Sequence, residues 1–179
     1  MDRPVRKPTR LKNYDYRTPG AYFITFCTRE KRCILSQIAE PSGGNVGEGL
    51  APPAVKLTAI GRLTEAQIAS LPQRFPGVSV DRYVIMPNHV HLLLTLSGNY
   101  PSREQQAAPL RQGEGDQVDI IHVVQVLKSQ SSRLYGRGKL WQRSFYDHIV
   151  RGEEDYRAVA AYIDANPARW VEDRFFPNR

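Results

Sequence analysis

The stretch that most constrains this chain is residues 78–96, VSVDRYVIMPNHVHLLLTL. Val78–Met86 is rich in β-branched and aromatic residues, Pro87-Asn88 is a turn signal, and Val90–Leu96 is almost wholly apolar. The pattern predicts two strands joined by a tight turn. Residues i and i+2 of a strand share a face. His89 and His91 therefore point together, while Val90 and Leu92 point the other way. The face of Leu92 and Leu94 can enter a core, and the histidine face continues through Leu93 and Thr95. Two imidazoles so spaced can ligate one metal ion. On spacing alone, locally hydrogen-bonded strand histidines are the commoner outcome. A reaction also needs a third ligand and a nucleophile or activated water.

The rest of the chain gives this hairpin its partners. Ala21–Thr28 (AYFITFCT), after Pro19-Gly20, predicts another strand, and the Gly- and Pro-rich residues 40–54 a loop. Leu57, Ile60, Leu63, Ala66, Ile68 and Leu71 predict a helix within Val55–Phe75. Ser97–Gln117 is polar and predicts a flexible loop. Asp119–Tyr135 predicts a helix closed by Gly136 and Gly138. Leu140–Val150 leaves room for a short strand. Glu153-Glu154-Asp155 open a last helix, which runs to about Asn166 and stops at Pro167. This order predicts an α+β fold, an antiparallel sheet with helices packed on one face.

On that last helix Tyr156, Val159, Ala160, Ile163 and Pro167 form an apolar stripe, and Tyr162 and Asn166 stack on an adjacent face. A tyrosine hydroxyl can attack a phosphodiester and an asparagine oxygen can ligate a metal. With nine tyrosines in the chain, spacing alone favours a packing role for Tyr162. His122 and His148 stand alone and read as structural.

The 179 residues suit one domain, and 41% hydrophobic residues suffice for a core. A net charge of +7 favours a polyanionic partner as much as a solvated basic surface. The basic residues gather in an arm over residues 1–17 (Arg3, Arg6, Lys7 and Arg10) and around Lys128, Arg133, Arg137, Lys139 and Arg143. Trp141, Phe145 and Tyr146 stand ready either to stack on unpaired bases or to pack. No apolar stretch approaches the ~20 residues that span a bilayer. The N-terminus lacks the apolar segment of a secretory signal. Cys27 and Cys33 form no CxxC pair, so a cytoplasmic protein without a disulfide framework is expected.

YVIMPNHVHLLL resembles the HUH motif (histidine, hydrophobe, histidine) of single-tyrosine transposases. LWQRSFYDHIVRGEEDYRAVAAYIDANPARW is similar to the downstream signature of the REP-associated tyrosine transposases, and GAYFITFCTREKR resembles that family's first strand. The likeness covers roughly residues 18–171, and 18–175 is taken as one HUH transposase-like domain in which 97–117 is a flexible loop. The resemblance implies a ferredoxin-like domain with His89 and His91 as metal ligands. It implies Tyr162 as nucleophile and Asn166 as the amide residue completing the metal site. The cofactor is a divalent ion, Mg²⁺ or Mn²⁺, and imidazole ligation predicts that Mn²⁺ serves at least as well.

The implied reaction is cleavage and rejoining of single-stranded DNA beside palindromic REP-like hairpins, through a 5′-phosphotyrosine intermediate. A monomer is expected, with a dimer as the alternative, and the protein is placed with the nucleoid. The competing readings are a catalytically silent hairpin-binding regulator and a relaxase or replication-initiator nickase.

Overall fold

The computed structural model describes residues 10–11, 13–39, 53–98 and 118–177. Arg3, Arg6, Lys7 and nearly all of the predicted loop 97–117 lie outside these residues. Among them no helix is long and apolar enough to cross a membrane.

The predicted hairpin is present as β4 (Val78–Ile85) and β5 (His89–Leu96), and the Met86 N–H donates to the His89 carbonyl across Pro87-Asn88 at 2.9 Å. The first strand, β1 (Gly20–Cys27), pairs antiparallel with β5 on one side. On its other side it pairs antiparallel with β6 (Tyr146–Val150), the short strand within 140–150. The sheet order is β4-β5-β1-β6. With α1 (Ala59–Ala69) and α3 (Ile120–Tyr135) as the connecting helices, this is the β-α-β-β-α-β arrangement of a ferredoxin-like fold.

Alternation along β5 divides the interior. Val90, Leu92 and Leu94 join Tyr22, Ile24 and Phe26 under α1 and α3 in the larger core. Leu93, on the histidine side, meets Val84, Met86, Val159 and Ile163 beneath α4 (Gly152–Ala165). The two connecting helices thus share one face as expected, and the tyrosine-bearing helix lies across the other.

Two local signals fixed helix boundaries. Asp119 caps α3, its carboxylate accepting from the Ile121 N–H at 2.7 Å. Gly136, at φ 66°, ends the helix in the left-handed conformation. The predicted helix over 55–75 begins later. Ala54–Leu57 is a strand (β3) paired with Ser36–Ala39 (β2), and Thr58 caps α1. A brief helix, α2 (Leu71–Arg74), follows. At the other end Asn166 keeps α-region angles (φ −57°, ψ −41°) although it precedes Pro167. The chain runs on as a 3-10 segment over Asn166–Glu172, where proline occupies a first-turn position that needs no N–H donor.

A bulge between Val80 and Arg82 in β4 accompanies an acceptor role for Asp81. Its carboxylate takes hydrogen bonds from Thr95 and, at 3.1 Å, from the Tyr156 hydroxyl of α4. This tether fastens the tyrosine helix to the sheet.

Candidate active site

β5 presents His89 and His91 on the α4 side, and both are fully buried. Their Nε2 atoms approach to 3.1 Å. Each ring is oriented from behind. The Asn88 side-chain amide donates to the carbonyls of Phe175 (2.7 Å) and Lys31 (3.2 Å), which leaves its Oδ1 facing His89 Nδ1 at 2.9 Å. His89 Nδ1 therefore carries the proton and Nε2 the lone pair. Thr25 Oγ1 on β1 holds His91 Nδ1 at 2.8 Å, and Phe23 stacks on the His91 ring at 5.3 Å.

Burial holds His89 far below the usual imidazole range, at about 3, with Arg174 and Lys31 adding to the effect. Burial, with His89 beside it, also pushes His91 well down. Both rings are neutral near pH 7, the form that ligates metals.

Asp173, also buried, brings a carboxylate oxygen to 3.9 Å from His89 Nε2. At that distance the two would form an ion pair only if His89 were protonated, which its burial opposes. His89, His91 and Asp173 each offer one ligand atom, all within 4.8 Å of one another. Asn166 Nδ2 donates to Asp173 Oδ2 at 3.2 Å. Its own Oδ1 is buried with no hydrogen-bond partner among the described residues. Two neutral imidazoles, a carboxylate and an orphaned amide oxygen form a donor set that fits a divalent cation.

Tyr162, on α4, sets its hydroxyl 3.4 Å from His91 Nε2, and its ring meets Phe23 edge-on at 5.9 Å. It is 41% exposed, so its hydroxyl combines contact with the cluster and access from solvent. Burial raises its pKa and Asp173 adds to the rise, while Arg174 and the Asn166 amide oppose it. A cavity of about 220 Å³ opens beside it, lined by Asn166, Arg169, Asp173 and Arg174 among others.

The structure thus brings His89, His91, Tyr162 and Asn166 together. It adds Asp173, Asn88, Thr25, Phe23 and Arg174, none of which spacing marked. Of the residues read as DNA contacts, Arg133, Arg137, Lys139 and Arg143 are exposed. Arg10 lies over Phe145 and bonds to Asp147. Two others are engaged inside the fold. Lys128 is buried, donating to the Arg143 and Ser144 carbonyls at 3.2 and 3.1 Å. Trp141 is buried, its ring against Phe26 and its N–H on Ser131 Oγ at 2.7 Å. The reason is shared: a large apolar ring or stem below a strand end gains more from the core than from solvent.

No family model matches the chain. Over 182 residues the chain is 29% identical to an uncharacterized protein of Haemophilus influenzae, covering 96% of this chain and 93% of that protein. It is 28% identical over 95 residues to a REP-associated tyrosine transposase of Escherichia coli, covering 52% of this chain and 47% of that one. The solved structure of a REP-associated tyrosine transposase bound to a REP hairpin shares the fold, with a TM-score of 0.57 and 20% identity over 90% of this chain and 73% of that one.

The fold shared with that structure is a ferredoxin-like sheet, which here carries a buried histidine pair facing a helical tyrosine. In sequence the chain is thus similar to a REP-associated tyrosine transposase over about half its length, and it shares the fold of another.

Proposed function

We propose that this protein is a metal-dependent strand transferase acting on single-stranded DNA beside palindromic hairpins, with Tyr162 as its nucleophile. The observation that carries the reading is the Tyr162 hydroxyl 3.4 Å from His91 Nε2, at the edge of the His-His-Asp cluster. His89, His91 and Asp173 would hold the divalent ion, with Asn166 orienting Asp173 through its amide and offering Oδ1 as a further donor. When bound, the ion supplies Lewis-acid stabilisation of charge on the phosphate oxygens.

The chain's own residues do the remainder. Tyr162 Oη attacks phosphorus as its proton leaves to solvent. The bond to the 3′ oxygen breaks, and that oxygen takes up a proton as a 3′-hydroxyl. The 5′ end remains as a phosphotyrosine ester, and attack by another 3′-hydroxyl reverses the step and joins strands. Arg174, lining the cavity beside Tyr162, offers a guanidinium to a phosphate there, while Arg169 pairs with Glu172 at 3.2 Å.

The test is incubation with a single-stranded palindromic oligonucleotide and Mn²⁺ or Mg²⁺, followed by a denaturing gel. A covalent adduct is expected, abolished in Tyr162→Phe and retained in Tyr156→Phe. Binding without an adduct under either ion would make the protein a hairpin-binding regulator. An adduct that survives Tyr162→Phe would move the nucleophile elsewhere.

A further inference from the structure

A second cavity, of about 350 Å³, lies on the β1–β6 side of the histidine pair. Its walls include Lys31, Gln142, Ser144, Tyr146, Arg174 and Phe175. The lining holds two cations and no carboxylate, so it suits an anionic ligand. It also offers flat surfaces, since the Arg174 guanidinium lies 5.6 Å from the Tyr146 ring centre and 4.6 Å from that of Phe175. Aromatic rings and guanidinium planes are the surfaces on which unpaired bases stack.

The polar part of the wall is held by its backbone. The Gln142 N–H donates to the Cys27 carbonyl at 2.9 Å, and Lys128 holds the carbonyls of Arg143 and Ser144. No hydrogen bond within the described residues engages the Gln142 or Ser144 side chain. The backbone carrying this amide and this hydroxyl is thus anchored while both side chains keep their bonding capacity open, as base-edge recognition requires.

The cavity adjoins the reaction centre. Thr25, in its wall, bonds to His91, and Phe175 packs on the His89 ring at 4.6 Å. Arg174 lines both this cavity and the one beside Tyr162. A strand with its phosphate at Tyr162 can place a neighbouring base here. Resting on the function proposed above, we infer that this cavity is a pocket for one unpaired nucleobase flanking the scissile phosphate. Tyr146, Phe175 and Arg174 stack on it, and Gln142 and Ser144 read its edge.

The test uses the uncleaving Tyr162→Phe chain and a pool of hairpin oligonucleotides with randomised single-stranded flanks. Sequencing the bound fraction should show a base preference at one flank position, lost when Gln142→Ala is added. An abasic site at that position should weaken binding about 5- to 100-fold, and Tyr146→Ala should remove most of that penalty. Ser144→Ala replaces Gln142→Ala if circular dichroism shows the latter unfolded. The same preference with and without these changes, or none at all, overturns the pocket. Adduct formation by the unmodified chain is scored separately. An adduct without a pocket effect leaves the function standing and sinks the pocket, a pocket effect without an adduct does the reverse, and no enrichment of DNA sinks both.

Discussion

Asp173 and Asn88 decide what His89 and His91 can do. Two neutral buried imidazoles bind a cation weakly unless an anionic ligand joins them and something fixes their tautomers. Asp173→Ala is expected to lower Mn²⁺ affinity at least ~10-fold by calorimetry. Asn88→Ala, which leaves every proposed ligand in place, is expected to cost roughly 10–100-fold. An Asn88→Ala chain with unchanged affinity would detach the tautomer argument from the metal. The shared face of the histidines was legible from their period-2 spacing, whereas Tyr162 was singled out by the family resemblance, since spacing alone favoured a packing role. Asp173 was not, since an aspartate in VEDRFF looks like surface charge. Only the turn after Asn166 carries it under the histidines.

Among the elements, the α1 position rests on one close approach. A Cβ on Gly61 would stand 2.1 Å from the Leu35 carbonyl oxygen, which is backbone and cannot swing aside. Gly61→Ala is expected to destabilise the fold by about 1–3 kcal/mol or more, measured by denaturant unfolding. Asp119→Ala removes the α3 cap and should cost about 1 kcal/mol in the same assay. The cap was readable from an acidic residue just before an apolar period. The β2–β3 pair was not. Val55 and Leu57 fit both a strand and a first helical turn, and pairing with Ile38 and Ser36 chose between them.

At the scale of the molecule, one chain supplies both halves of the site, since Tyr162 on α4 reaches the His91 of its own sheet. Mixing a His89→Ala/His91→Ala chain with a Tyr162→Phe chain is therefore expected to form no covalent DNA adduct. Restored adduct would mean that helices are exchanged between copies. Stability should also fail on the alkaline side. Burial raises the pKa of Tyr16 and of Tyr22, and hydrogen bonds to Asp147 and Tyr14 add to it. The unfolded chain then releases these protons first. Their contribution is whole below about pH 10 and is lost as pH rises beyond it. Thermal melts should show the drop, and Tyr22→Phe should lessen it.

The sequence by itself determined the period-2 pattern that aims two histidines one way, the helix that carries Tyr162, and a basic balance that suits a polyanion as well as it suits a solvated surface. These are local or compositional properties, set by backbone periodicity and side-chain charge. Tertiary structure alone decided that α4 crosses the histidine face, that Asp173 joins the pair, and that Trp141 and Lys128 turn inward. Each depends on which surfaces meet across long stretches of chain, and burial energies, not local preference, settle that.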